Sequence, residues 1–226
     1  MTRPPPHTGF GRPRLIRLLA GLVAGEGAEA RRSLAERLGG WLNLTDAIAL
    51  SGALAVGGGD ESATPGEEGA GVALVRVRAA LADSIAADEG RGGVALSAAP
   101  DFAPFRRHYV ARQRDMAAAI GPLRAQARQA LAARSPALAR LAALDAVMER
   151  ALAERERALL GSVPHLLERR FERLRAAPPA DAGAASDGWL AAFCREQRDL
   201  LLAELEFRLL PVDGLVAASA DGGASF

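Results

Sequence analysis

The sequence predicts an all-α protein, a helical bundle built around a long helical hairpin. The apolar half of the 226 residues is dominated by Ala and Leu, and only 4% of residues are aromatic. That mixture favours helix and disfavours sheet. Apolar residues also recur at steps of three and four over long stretches, the period of one helical face. No segment alternates as a strand of more than a few residues would.

Taken in order, residues 1–12, with Pro4, Pro5 and Pro6, read as a disordered arm. N-terminal helices occupy 13–56. Pro13 suits a first helical position, and Leu15, Leu18, Leu19, Leu22 and Val23 follow at helical spacing. A second run covers 28–38 and ends at Gly39-Gly40. A third, opened by Asn43 or Thr45, carries Leu44, Ile48 and Leu54. Residues 57–71 collapse to Gly, Glu, Asp, Ser, Thr and Pro and read as a flexible linker. Residues 72–88 are helical, with Leu74, Val77, Leu81 and Ile85 on one stripe, and the Gly-rich stretch inside 89–103 is expected as a loop.

The main body spans 104–176. Met116, Ile120, Leu123, Ala127 and Leu131 form one stripe; Ala137, Leu141, Leu144, Met148, Leu152, Arg155 and Leu159 form the next. Ser135-Pro136 between them is an N-cap followed by a helix-starting proline, so two helices folded as a hairpin are expected. A single long kinked helix is the competing geometry. Leu141, Leu144, Met148 and Leu152 are expected to carry a coiled-coil-like seam, with bends permitted at Gly121-Pro122 and at Pro164. Residues 177–188 read as a linker. C-terminal helices fill 189–218, their apolar face set by Leu190, Phe193, Leu201 and Leu205; Pro211 is expected to end the main one, and 219–226 to form a loose tail.

Composition narrows the chemistry. All 28 basic residues are Arg, against 27 acids, so lysine-dependent mechanisms are excluded. Net charge +1 gives no global attraction to nucleic acid or anionic membrane. One cysteine and three histidines cannot build a four-ligand structural zinc site. No stretch has the apolar length of a membrane span. Arg17 interrupts the apolar run 15–24, which argues against a signal peptide. A cytoplasmic location is expected.

Charge is nevertheless uneven: residues 102–176 hold 15 Arg against seven acids. Within them Phe105-Arg106-Arg107-His108-Tyr109-Val110-Ala111-Arg112-Gln113-Arg114 stands out. Interleaved Arg and aromatic residues can grip phosphates and stack on bases. On a helix, Phe105, Tyr109 and Met116 can instead anchor the core while Arg106, Arg107, Arg112 and Arg114 form a basic strip. That strip is the candidate partner-binding surface, or else it is neutralised internally by Asp199, Glu204 and Glu206. His108 and His165 fall at similar heights if the hairpin turns at Ser135. With Glu168 or Asp115 they would be the only candidate metal ligands, but the paired Glu-x-x-His pattern of helical di-metal proteins is absent, and neither metal nor cofactor is expected. Cys194 reads as a small core residue. No nucleophile elbow, zinc-protease or dinucleotide-loop context exists, so no catalytic residue is assigned.

Several stretches together resemble an uncharacterised proteobacterial family of unknown function, about 230 residues long: Arg14-Leu15-Ile16-Arg17-Leu18-Leu19; Ser33 to Leu42; Thr45-Asp46-Ala47-Ile48; Phe105 to Met116 with Ile120-Gly121-Pro122-Leu123-Arg124; Arg169 to Leu174; and Trp189 to Cys194. The resemblance covers nearly the whole chain and supplies no catalytic residues. It implies an accessory role beside envelope proteins that resemble motor stators and peptidoglycan-binding domains. The resulting expectation is a non-enzymatic helical interaction protein with a protein partner, able to form a homodimer. Nucleic-acid binding through the basic hairpin is the alternative.

Overall fold

The computed structural model describes residues 13–24, 69–97, 101–176 and 188–221, and among them it contains five helices and no strand. These are α1 (Arg14–Ala24), α2 (Ala70–Ser97), α3 (Ala103–Ala132), α4 (Pro136–Ala176) and α5 (Gly188–Asp221). The all-α class read from the sequence is the class observed. The arm at 1–12, the helical runs at 28–38 and 44–55, most of the 57–71 linker and most of the 177–188 linker lie outside the described residues.

The α3–α4 hairpin turns where local chemistry places it. Ser135 Oγ accepts the Leu138 backbone N–H at 3.2 Å, and Pro136 opens α4. The Ser135 side chain thus satisfies an otherwise orphaned donor, and the proline occupies a position whose N–H is not needed. Antiparallel register follows from two contacts. Gln113 Nε2 donates to the Leu160 carbonyl at 2.9 Å, and Arg124 grips Asp145. A single kinked helix is thereby excluded. Both α3 and α4 continue through their internal prolines, Pro122 and Pro164.

Helix α5 packs against all four others. It runs parallel to α3, since Gln197 meets the Phe105 carbonyl and Glu204 meets Tyr109 and Gln113 further along. Helix α2 is antiparallel to both: Arg112 reaches Ser84, and Arg78 reaches Asp213. The result is an up-down-up-down four-helix arrangement in which α2 and α4 flank the α3–α5 pair. Helix α1 crosses one end, where Arg173 donates to the Leu22 carbonyl and Arg14 to Asp199.

That end holds the aromatic core. Phe102, Phe105, Phe171 and Phe193 pack mutually with centroids 5.2–6.5 Å apart, and Trp189 adds an edge contact to Phe171. Offset and edge-on geometries of this kind add to the burial energy. Five of the chain's ten aromatic residues therefore sit together at this end of the bundle.

Three expectations are corrected. Helix α2 does not stop at residue 88 before a loop but runs to Ser97, through Gly90, Gly92 and Gly93. Glycine lowers helix propensity without removing a hydrogen-bonding group, so the ladder can continue across it. Helix α5 does not end at Pro211 but continues to Asp221, beyond the expected start of a loose tail at 219. Pro211 removes one backbone donor. Beyond it, Val212 and Leu215 are buried and Asp213 pairs with Arg78, so tertiary contacts hold the helix on.

The third correction concerns the hairpin seam. Leu141 is 38% exposed, and Leu144, Met148 and Leu152 are only half-buried. The buried residues of α4 are Ala142 and then Leu159, Leu160, Val163, Pro164, Leu167 and Phe171. Between these blocks the α3–α4 contact is ionic. Arg124 holds Asp145 through two bonds of 2.9 and 2.6 Å, and Arg128 donates to Asp145 at 3.0 Å and Glu149 at 2.6 Å.

Candidate partner surface and the polar core beneath it

The Arg-rich segment forms the N-terminal third of α3. Asp101 Oδ1 accepts the Ala103 N–H at 2.9 Å near the start of the helix, and Pro104 lies in its first turn. Phe105, Tyr109 and Met116 are buried. The aromatic rings therefore face inward and offer no stacking platform for bases. Arg106, Arg107 and Arg114 are exposed and make no ion pair among the described residues. Seven residues separate Arg107 from Arg114, two helical turns, so both project from one face. Arg112 points differently: it donates to Ser84 Oγ at 2.5 Å and to Asp115 at 3.0 Å, tying α3 to α2.

The acids expected to neutralise the strip from within are engaged elsewhere. Asp199 and Glu206 both pair with Arg14, at 3.0 and 3.6 Å. Glu204 is fully buried. Its carboxylate accepts the Tyr109 hydroxyl at 2.9 Å, Gln113 Nε2 at 3.0 and 3.1 Å, and Arg208 Nε at 2.9 Å. Arg208 in turn reaches Glu156 on α4 at 3.4 Å. A buried carboxylate persists only when paired and hydrogen-bonded, and here α3 and α5 supply the partners. Burial, and then the neighbouring Glu204 charge, push the Tyr109 hydroxyl well above its ordinary pKa.

Sequence reasoning missed this network. The signal was available: Gln197 and Glu204 fall at helical spacing on the same face as Phe193, Leu201 and Leu205, so periodicity alone turns both inward. Gln197 is indeed buried and donates to the Phe105 carbonyl at 2.9 Å.

The histidine pair is brought to one height, since the Gln113–Leu160 contact puts residue 108 level with residue 165. His165 is nevertheless exposed and lies 3.6 Å from its own helix neighbour Glu168. No group of three His, Cys, Asp or Glu side chains among the described residues converges as metal ligands would. Cys194 is half-buried against the core. No described helix is long and apolar enough to cross a membrane.

A comparison with protein families matches residues 1–221 to the one described as protein of unknown function, DUF3348. The chain belongs to the DUF3348 family. Comparisons with curated proteins and with solved structures each returned no match. This DUF3348 chain presents an anchored helix with three outward guanidinium groups above a buried polar network.

Proposed function

We propose that the chain is a non-enzymatic helical interaction protein that binds an acidic protein surface through Arg106, Arg107 and Arg114. The observation that carries this reading is that these three cations are exposed and without ion pairs among the described residues, on a helix whose opposite face is locked into the core. A rigid helix presents its side chains with little backbone entropy left to lose on binding. Guanidinium groups also form bidentate contacts with carboxylates. The inward aromatic rings weigh against single-stranded nucleic acid. An accessory role in the cytoplasm beside an envelope complex belongs to the same proposal and rests on the resemblance described above.

The test uses the tagged full chain as bait in its own cells, beside the variant Arg107→Glu/Arg114→Glu. Specific partners retained by the wild type and lost by the variant support the reading; an unchanged set of partners contradicts it. Titration with generic duplex DNA at low and moderate salt provides the control. Tight, steeply salt-dependent binding there would transfer the strip to phosphate recognition instead.

A further inference from the structure

The basic strip does not end at α3. Gln113 and Arg124 meet α4, which fixes the side of α3 turned toward its hairpin partner. Arg106 lies two turns before Gln113 on that side. Arg107 and Arg114 lie further round, outside the contact line and away from the buried Phe105, Tyr109 and Met116. On α4, Arg150 and Arg157 are exposed and again two turns apart. Arg157 and Ala153 border one cleft with Ala117 and Gly121 of α3, so this second pair flanks the same outer face. Neither makes an ion pair among the described residues; Arg157 Nε donates to the Ala153 carbonyl of its own helix at 3.2 Å.

Register joins the two pairs into one band. Gln113 is level with Leu160, so Arg157 falls level with residue 116 and Arg150 with residue 123. From Arg107 through Arg114 and Arg157 to Arg150, the band climbs about 24 Å along the hairpin and crosses from α3 to α4 midway. Acids do not cancel it. Residues 103–128 and 145–168 together hold nine arginines against six carboxylates. Asp115, Asp145, Glu149 and Glu156 are already held by other arginines, and Glu168 lies beside His165. Glu154, the one acid between Arg150 and Arg157, is exposed and pairs with neither among the described residues.

We infer, resting on the reading of α3 as a partner surface, that the partner presents an acidic α-helix that lies along the α3–α4 face. Arg107 and Arg114 hold one flank of it, and Arg150 and Arg157 hold the other. Charge complementarity sets the sign, and spacing sets the shape. Each pair repeats after seven residues, about 10.5 Å, the interval at which a helix returns carboxylates to one side. Between the pairs the surface is made of Ala117, Gly121 and Ala153, so a second helix can come close without meeting a large side chain. Each guanidinium can then take a carboxylate in a bidentate contact. With the aromatic rings buried, the face has nothing on which bases would stack.

The probes are two capped, fluorescein-labelled, Ala-based helical peptides of identical composition. In one the Glu residues fall on a single face; in the other they are spread round the helix. Anisotropy titration with the full chain, at low and at physiological salt, should show one facial peptide bound per chain. The spread isomer should bind at least tenfold more weakly. Arg150→Gln/Arg157→Gln should weaken the facial peptide at least tenfold, as should Arg107→Gln/Arg114→Gln, each with an unchanged urea midpoint. If the midpoint of the α4 variant shifts, Arg150→Gln and Arg157→Gln singly take its place, each expected to weaken binding. Weakening by the α3 variant alone overturns the assignment of α4 and leaves the α3 surface standing. Equal binding of the two peptides, or none, overturns the acidic helix, while partner retention in cells still decides the α3 surface separately. Duplex DNA bound more tightly than the facial peptide overturns both in favour of phosphate recognition.

Discussion

Glu204 concentrates the polar energetics of the bundle in one carboxylate, fully buried and surrounded by donors from α3 and α5. Removing it strands those donors as well as the Arg208 charge. Glu204→Ala is therefore expected to cost about 3–5 kcal/mol in urea denaturation, the magnitude seen when one partner of a buried ion pair is deleted. Tyr109→Phe, which removes one neutral donor and leaves the carboxylate its other partners, should cost about 1–3 kcal/mol. Tyr109 is the only tyrosine in the chain, which makes its ionisation directly observable. Its hydroxyl is raised above the ordinary value of 10.0, so the folded state holds the proton after the unfolded state has lost it. The stabilisation this represents is complete below pH 10.0 and is lost as the pH rises through the folded pKa. Phenolate absorbance in an alkaline titration should stay flat past that pH in buffer and rise around it in concentrated urea. A curve in buffer that matches the unfolded one would show the hydroxyl to be solvent-accessible.

At the scale of the helix, α4 divides into an ionic N-terminal half and an apolar C-terminal half. Leu160→Ala should cost about 2–5 kcal/mol by cavity formation, whereas Leu141→Ala, on a side chain already 38% exposed, should cost less than about 1 kcal/mol. Equal costs would restore the even seam that the heptad-like spacing suggests. This contrast shows what was legible in the sequence. The hairpin itself was, because Ser135-Pro136 is local chemistry acting on its own neighbours. So was the α3 stripe, from Phe105 to Leu131, where every expected apolar position is buried. The seam in the first half of α4 was not, because spacing identifies a helix face but not what stands opposite. Arg124 and Arg128 lie in sequence among small residues, and only the register brings them onto Asp145 and Glu149. The passage of α5 through Pro211 was hidden for the same reason, since the contacts of Val212, Asp213 and Leu215 that sustain it are all tertiary.

Across the whole molecule, a near-neutral chain conceals a segregated charge pattern. Within residues 102–176 Arg124 and Arg128 are paired with Asp145 and Glu149, and Arg170 is taken up by Glu196 of α5, while Arg106, Arg107 and Arg114 face outward. Sequence periodicity placed the anchors Phe105, Tyr109 and Met116 correctly and left open whether acids of the last helix covered the strip. The structure assigns Asp199 and Glu206 to Arg14, buries Glu204 and ties Arg112 to Ser84 and Asp115, so Arg106, Arg107 and Arg114 are left as spare charge among the described residues. Charge reversal at an exposed position with no ion pair among the described residues should hardly change stability. The most direct measurement is the unfolding free energy of Arg107→Glu/Arg114→Glu by chemical denaturation, beside wild type. A difference within about 0.5 kcal/mol is expected, typical of surface substitutions away from structural contacts; a loss of more than about 2 kcal/mol would mean that the strip holds the fold together and is not a surface kept for a partner.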